Sequence, residues 1–176
     1  VTTRTAGFAS ISQSGLTNGS KLLACMLMIV GGSPAGTAGG IKTTTVAVLL
    51  LTAISVLRGN KDTECYGRKI TFEIIRVGIT ITLVTFVFWL FGVTVMTVIE
   101  PQQKVLDLMF EATSAMATVG LTVDLTPVLS DISHVVLMLM MYIGRIGPMT
   151  MALIFSGHVD KKNKFRTLPE AKIMVG

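Results

Sequence analysis

Apolar residues fall into long blocks that are separated by short polar or charged segments. The block at 77–99 holds 23 residues without a charged side chain, enough for a helix to cross a bilayer core about 30 Å thick. The block at 134–156 is equally long and contains one arginine, Arg145. This pattern predicts an all-α integral membrane protein.

Two shorter apolar blocks, at 22–30 and 46–57, are each too short to span a bilayer alone. Between them lies a glycine-rich stretch with a proline, which cannot continue a regular helix. We therefore predict one broken transmembrane helix with an intramembrane loop at 31–45. A further block at 105–117 has apolar residues at helical spacing, so we predict a half-length helix whose carbonyl end favours a cation.

One short motif occurs twice. Thr5-Ala6-Gly7 and Thr118-Val119-Gly120 are 113 positions apart, and the same offset superposes Gly31 on Gly144. A repeat of this length in a membrane chain indicates copies of one unit arranged around an axis. The half-length helix runs directly into the second copy, as a pore helix does.

The two motifs are candidates for an ion filter. Glycine permits the backbone that aims consecutive carbonyls at one point, and rings of carbonyls can replace the hydration shell of a potassium-sized ion. We therefore predict that the carbonyls of both motifs bind a cation, with Phe8 and Leu121 as filter support. The alternative, a plain turn between helices, is disfavoured by the matched second copy.

The composition agrees with a membrane location. Of 176 residues, 51% are hydrophobic and 14% are charged, whereas soluble domains carry about 25% charged residues. Ten of the fifteen basic residues lie in 58–76 and 157–176, next to apolar blocks. Lysine and arginine in such positions mark cytoplasmic segments, so we expect a cytoplasmic connector and a cytoplasmic C-terminal tail rather than a nucleic-acid surface.

Charges elsewhere carry two further hypotheses. Arg145 lies inside an apolar block, where a charge needs water or a partner, and it is either a positive barrier in the ion path or a structural ion pair. The segments assigned to the outer side carry carboxylates that form either an acidic pore mouth or ordinary polar loops. These residues are Glu100, Asp107, Glu111, Asp124 and Asp131.

The glycine-rich loop allows a nucleotide-binding or a gating interpretation. A phosphate-binding loop needs lysine directly after its last glycine, whereas here Ile41 separates Gly40 from Lys42. No nucleophile–base pair stands out either, so we expect no enzyme. We predict instead a gate beneath the filter, although a passive helix break remains an alternative. The predicted gate consists of Gly31, Gly32, Ser33, Pro34, Gly36, Thr37, Gly39, Gly40 and Lys42.

A third class of function is a non-conducting membrane scaffold whose glycines serve helix packing. That class would place its glycines in a small-residue stripe on an unbroken helix. Here the glycines cluster with proline and follow threonine, which disfavours the scaffold.

These motifs resemble the Trk/Ktr/HKT potassium transporters, most closely the membrane subunit (KtrB) of bacterial Ktr systems. Residues 1–8 are similar to the third filter segment of that family, and 31–45 to its intramembrane loop. Residues 110–122 resemble the fourth pore helix and filter, and 144–148 the final helix with its basic residue. The ending at 168–176 is similar to the natural C-terminus of the family.

The resemblance implies four fused repeats of helix, pore loop and helix (M1-P-M2), each with one selectivity glycine. This sequence would hold two of them, with Gly7 and Gly120 as selectivity glycines. Residues 1–57 would then end the third repeat, including its broken M2 helix, and 77–156 would form the fourth. Because the chain opens with valine directly at a motif, we expect the N-terminal half of the same subunit to be missing here.

The resemblance also implies partners and ligands. It implies a multi-pass protein of the bacterial cytoplasmic membrane that forms a homodimer, surrounded by lipid. The transported ion would be K⁺, with Na⁺ as a possible coupling ion. A cytosolic, RCK-type ring of KtrA-like regulatory subunits would move the loop at 31–45, and nucleotide would bind only to that ring.

Overall fold

Five α-helices make up most of the described chain. The computed structural model describes residues 2–9, 11–33, 39–59, 62–65 and 68–147. The helices are α1 (Asn18–Ile29), α2 (Thr43–Leu57), α3 (Phe72–Ile99), α4 (Val105–Met116) and α5 (Asp131–Ile146). Two 3-10 helices (Gln13–Gly15 and Thr126–Val128) and an antiparallel hairpin of β1 (Glu64–Cys65) and β2 (Arg68–Lys69) complete the described elements.

Helix α3 is long and apolar enough to cross a membrane. It has 28 residues, and its most apolar window has a mean hydropathy of 2.2. Only 22% of that window is buried within the chain, so Leu83, Phe86 and Phe91 present an apolar outer surface. The helix begins five residues before the predicted block and includes Glu73 in its first turn, where the helix dipole favours a negative charge. Among the described helices, α1 and α2 are apolar but shorter.

Helix α4 forms the centre of the fold. It packs against α1, α3 and α5, and Leu108, Phe110 and Ala112 are completely buried. Its bounds agree with the predicted half-length helix to within one residue. The Trp89 indole on α3 donates a hydrogen bond of 2.9 Å to the hydroxyl of Thr113 on α4. Because α4 is enclosed on three sides, the position of its C-terminal end is well determined by packing.

The two ends of the glycine-rich loop lie side by side, at the end of α1 and the start of α2. Helix α1 ends at Ile29 and α2 begins at Thr43. A parallel bridge joins Val30 to Ile41, in which the Gly31 amide donates to the Ile41 carbonyl at 2.8 Å. The two helix ends are therefore held together across the loop. Residues 34–38, which include the predicted gate residues Pro34, Gly36 and Thr37, lie outside the described residues.

The connector after α2 carries the short hairpin. Glu64 of β1 pairs with Lys69 of β2, and the Lys69 ammonium lies 2.6 Å from the carboxylate of Asp62. The hydroxyl of Ser55 on α2 donates to the Asp62 carbonyl at 2.8 Å. These contacts fold the connector back onto the end of α2.

The two copies of the sequence motif begin the same succession of elements. At the 113-residue offset, the 3-10 helix Gln13–Gly15 corresponds to Thr126–Val128, and the start of α1 corresponds to the start of α5. The N-caps also correspond, since Thr17 precedes α1 and Ser130 precedes α5. The copies then differ, because α1 ends where the glycine-rich loop begins, whereas α5 continues to Ile146.

Candidate functional site

Each predicted filter motif forms a corner with two left-handed residues. In the first corner (Thr5–Gly7), φ is 59° at Thr5 and 64° at Gly7. In the second corner (Thr118–Gly120), φ is 52° at Thr118 and 89° at Gly120. A threonine with positive φ is uncommon, because its β-carbon crowds the backbone. The same strained conformation therefore occurs at the same two positions of both copies.

The amides of the second corner bind the end of α4. The Thr118 amide donates to the Ala115 carbonyl at 3.0 Å, and the Val119 amide donates to the Ser114 carbonyl at 2.9 Å. These bonds satisfy carbonyls that a helix end otherwise leaves unpaired. They also hold the corner against α4 through two of its N–H groups rather than through its carbonyl groups.

The two corners are in contact with each other. A β-carbon added at Gly7 would lie 2.5 Å from the Val119 carbonyl oxygen and 3.5 Å from the Gly120 Cα atom. A cavity of about 290 Å³ adjoins both corners, with Gly7, Gly120 and Asp124 among its lining residues. The Val119 carbonyl oxygen of the second corner thus faces Gly7 of the first corner.

Asp124 links the segments that follow the two corners. The Ser12 hydroxyl donates to the Asp124 carboxylate, and Ser12 also contacts Ser14 at 2.6 Å. Hydrogen bonds from Ser12 and then Ser14 lower the pKa of Asp124 from its ordinary value. An ionised carboxylate therefore stands at the rim of the cavity that adjoins the corners.

Glu111 holds the segment after the second corner. It is 5% exposed and lies on α4, one turn before the carbonyls that bind the corner. Its carboxylate accepts hydrogen bonds from the Val123 amide at 3.1 Å, from the Thr126 hydroxyl at 3.1 Å and from the Thr122 hydroxyl. The sequence assigned Glu111 to the outer segments, as part of an acidic pore mouth or of ordinary polar loops. In the structure it is buried, and these three donors replace the water around its carboxylate.

The ends of the glycine-rich loop lie against the second corner. A β-carbon at Gly39 would be 2.4 Å from the Thr118 hydroxyl oxygen and 2.8 Å from the Ala117 carbonyl. One at Gly31 would be 2.1 Å from the Gly39 carbonyl. The Thr118 hydroxyl oxygen is buried without a hydrogen-bond partner within the described part of the chain. Glycine at position 39 therefore allows the loop to approach the corner, and glycine at position 31 allows the two ends of the loop to approach each other.

The other predicted gate residues differ in environment. Gly40 has a φ of 73°, and Lys42 is half-buried as the N-cap of α2. Gly32 is half-buried and Ser33 is exposed. The described part of the predicted gate is therefore anchored at Gly31, Gly39 and Gly40, while Ser33 lies at its surface.

Arg145 lies near the second corner from the α5 side. A β-carbon on the preceding residue, Gly144, would be 1.9 Å from the Met116 carbonyl oxygen, so α5 packs directly on the end of α4. Arg145 is exposed and lines a cavity of about 470 Å³ together with Gly120 and Glu111. The predicted barrier residue and the predicted filter thus share one cavity.

The two predicted filter-support residues have different environments. Phe8 is 84% exposed, whereas Leu121 is 4% exposed and belongs to the hydrophobic core. Leu121 is therefore part of the core, whereas Phe8 presents its ring at the surface of the described part of the chain.

Sequence reasoning missed two polar contacts of α4, one buried and one partly buried. One is the hydrogen-bonded Glu111, and the other is an ion pair of 2.7 Å between Lys21 on α1 and Asp107. The available signal was the spacing of Asp107 and Glu111, four residues apart on one short apolar helix. Within the described residues, no three histidine, cysteine or acidic side chains come together as a metal site.

Comparison with known proteins places this arrangement among cation transporters. A profile described as TrkH, cation transport protein, matches residues 1–166. Ktr system potassium uptake protein B of Bacillus subtilis (strain 168) is 36% identical over 176 residues, which is 100% of this chain and 39% of that protein. Potassium/sodium uptake protein NtpJ of Enterococcus hirae is 35% identical over 179 residues, covering 100% of this chain and 40% of that protein.

A third relative, Ktr system potassium uptake protein D of Bacillus subtilis (strain 168), is 33% identical over 174 residues, covering 99% of this chain and 38% of that protein. The chain spans about two fifths of the length of these relatives and aligns with their C-terminal part. All three are named for ion uptake rather than for an enzymatic reaction.

The profile match extends over nearly the whole chain, including both corners, the glycine-rich loop and all five helices. Transporters of this family reside in the cytoplasmic membrane, which agrees with the apolar surface of α3. The chain therefore belongs to the TrkH family of cation transport proteins.

Proposed function

We propose that this chain forms part of a K⁺ pathway across the bacterial cytoplasmic membrane and that its two corners are two walls of the selectivity filter. The observation that carries the proposal is the contact between two corners with matching left-handed residues, Thr5 and Gly7 against Thr118 and Gly120. Backbone carbonyls from neighbouring copies can replace the water around a dehydrated cation.

Helix α4 adds an electrostatic contribution. Its C-terminal end, which carries the negative end of the helix dipole, terminates at the second corner. Together with the ionised Asp124 at the rim, it favours a cation near the corners. The names of the relatives support K⁺ as the ion, and that of NtpJ supports Na⁺ as a second ion.

Two copies cannot enclose an ion from all sides, so the proposal includes further copies. We propose that each copy is a helix–pore loop–helix repeat and that two more repeats belong to the N-terminal half of the same subunit. Two such subunits would form a homodimer in the lipid bilayer. The coverage of about 39% of the relatives' length supports the missing half. The contact of Gly7 with Val119 supports an arrangement in which neighbouring copies adjoin at their corners.

The glycine-rich loop is proposed as the gate of this pathway. Gly39 near its second end packs on Ala117 and Thr118, and Gly31 at its first end packs on Gly39, so a displacement of α1 or α2 would be transmitted to the second corner. We propose that a cytosolic RCK-type ring, the only nucleotide-binding component, moves the loop. The Ktr names of two relatives support such a partner, because they describe members of a multi-component system.

Arg145 is proposed as a positive barrier on the same path. It shares the cavity of about 470 Å³ with Gly120, which supports a position close to the permeating ion. A fixed positive charge there would limit cation flux until its own contacts are rearranged.

The experiment that tests this function replaces Gly120 by serine in the complete transporter. A β-carbon at Gly120 meets nothing closer than the Gly7 Cα atom at 4.0 Å, so the variant keeps its packing but strains a φ of 89°. That strain is worth about 1–2 kcal/mol, and the backbone can relieve it by shifting the carbonyl at position 120. Because about 1.4 kcal/mol corresponds to a factor of ten, we expect the K⁺ over Na⁺ preference of uptake to fall about tenfold. Gly19→Ser, at an exposed helical position with open space, is the matched control. Unchanged ion preference in Gly120→Ser would overturn the proposal.

A further inference from the structure

The segment around Gly120 is held from both sides by α4. On one side, the amides of Thr118 and Val119 bind carbonyls at the end of the helix. On the other side, the Glu111 carboxylate accepts hydrogen bonds from Thr122 and Val123. Only Gly120 and Leu121 lie between the two anchored stretches.

The anchor at Glu111 uses both carboxylate oxygens. Oε1 accepts from the Thr122 hydroxyl and the Val123 amide, and Oε2 accepts from the Thr126 hydroxyl. The hydroxyls of Thr122 and Thr126 also lie 3.0 Å from each other. A buried carboxylate is tolerated only with such donors, and hydrogen bonds to an ionised acceptor are roughly twice as strong as neutral ones.

The two anchoring threonines are not matched in the first copy. At the 113-residue offset, Thr122 corresponds to Ala9 and Thr126 to Gln13, so neither hydroxyl is repeated. The two corners share their backbone conformation but differ in how the following segment is held. A change in the Glu111 anchor would therefore act directly on the second corner, which is one side of the proposed filter.

We propose that Glu111 is a positioning residue for ion selectivity: from behind the second corner, its carboxylate fixes the separation of the Gly120 carbonyl from the opposing carbonyls. This inference rests on the proposed filter function and deepens it. Loss of the anchor lets the distance between the Gly120 carbonyl and the opposing carbonyls change. Discrimination between K⁺ and Na⁺ depends on the size of the ion site or on the number and field strength of its carbonyls, and a displaced carbonyl alters both. Glu111 lines the cavity of about 470 Å³ together with Gly120, but both of its oxygens accept hydrogen bonds from the segment after the corner, so we assign it positioning rather than ion binding.

The test measures K⁺ and Na⁺ uptake by the complete transporter in a strain that lacks other K⁺ uptake. Thr126→Val removes one hydroxyl at nearly constant shape, and Thr126→Ser retains it, so we expect a loss of ion preference only in the valine variant. Glu111→Gln replaces one acceptor oxygen by a donor. Because hydrogen bonds to charged groups are the stronger ones, we expect the K⁺ over Na⁺ preference of this variant to fall about tenfold. The ion preference of the double variant Glu111→Gln with Thr126→Val should be little lower than that of Glu111→Gln alone, because both changes break the same hydrogen bond.

Asp107→Asn is the matched control, because Asp107 lies on the same helix but pairs with Lys21 instead of the filter segment. It should lower thermal stability and leave the ion preference unchanged. If Glu111→Gln fails to reach the membrane, the pair of Thr126 variants decides the question. Wild-type ion preference in Thr126→Val or in Glu111→Gln, alongside a loss in Gly120→Ser, would overturn the role of Glu111 and leave the proposed function standing. Wild-type preference in Gly120→Ser would instead overturn the proposed function.

Discussion

Gly7 faces the carbonyl group of Val119 so closely that a β-carbon at Gly7 would lie 2.5 Å from its oxygen. At Gly120, the matching residue of the other copy, a β-carbon would make only an ordinary contact, 4.0 Å from the Gly7 Cα atom. The two glycines therefore share a left-handed φ but differ in what a side chain would meet. This difference makes the two corners experimentally separable.

Gly7→Ala should impair the assembly of the proposed filter as a whole. The added methyl group collides with backbone, which cannot move aside as a flexible side chain can. We expect reduced thermal stability and reduced uptake of both K⁺ and Na⁺, in contrast to the selective defect of Gly120→Ser. Gly15→Ala, which meets nothing within 4 Å, is the control. Full uptake of both ions by Gly7→Ala would contradict the contact between the corners.

Gly144→Ala should separate α5 from the end of α4. Its β-carbon would lie 1.9 Å from the Met116 carbonyl oxygen, and relieving such overpacking costs about 1–3 kcal/mol. Gly92→Ala is a matched comparison, because its β-carbon meets the Sδ atom of Met140 at 2.4 Å and this flexible side chain can rotate away. We expect Gly144→Ala to lower the melting temperature of the purified protein more than Gly92→Ala. Equal effects would refute backbone contact as the cause.

The ion pair of Lys21 and Asp107 should stabilise the contact of α1 with α4. The two side chains are 8% and 20% exposed, so removing one partner leaves a poorly solvated charge and costs about 3 kcal/mol. Lys21→Met combined with Asp107→Leu should recover most of that loss. The exposed pair of Lys69 and Asp62 serves as control and should contribute less than about 1 kcal/mol. If the double variant loses as much free energy of unfolding as the two single variants together, the two residues do not pair directly.

Stability should fall at low pH through Glu100, the residue that follows α3. Its carboxylate accepts bonds from the Ser130 amide at 2.8 Å and the Ser133 hydroxyl at 3.0 Å, and thereby caps α5. Hydrogen bonds from Ser130 are the largest cause of its lowered pKa. The stabilisation is therefore complete above the ordinary pKa of 4.5 and is lost as the pH falls through the lower value in the folded protein.

Glu100→Gln should remove this part of the pH dependence of the melting temperature. Glu73, an exposed carboxylate at the other end of α3, provides the comparison through Glu73→Gln. If the melting curves of Glu100→Gln and the parent protein change in parallel below pH 4.5, the cap does not contribute in the way described.

Much of the helix pattern could be predicted from the sequence, because apolar blocks and glycine clusters act locally. The offset of 113 residues predicted paired corners, and both show the same left-handed residues. The partners of Glu111 and Lys21 could not be predicted, because they depend on how α1 and the loop after Gly120 pack around α4. Likewise, Phe8 and Leu121 occupy equivalent positions in sequence, yet only Leu121 is covered by neighbouring residues.

The most direct test of the filter is to locate a heavy K⁺ analogue in the complete transporter. Crystals grown with Tl⁺ or Rb⁺ should show an anomalous peak between the carbonyl oxygens of Thr5, Gly7, Thr118 and Gly120, as expected when carbonyls replace the ion's water. The peak should weaken in Gly120→Ser. Ions bound elsewhere along the pathway, with none beside these four carbonyls, would contradict the account.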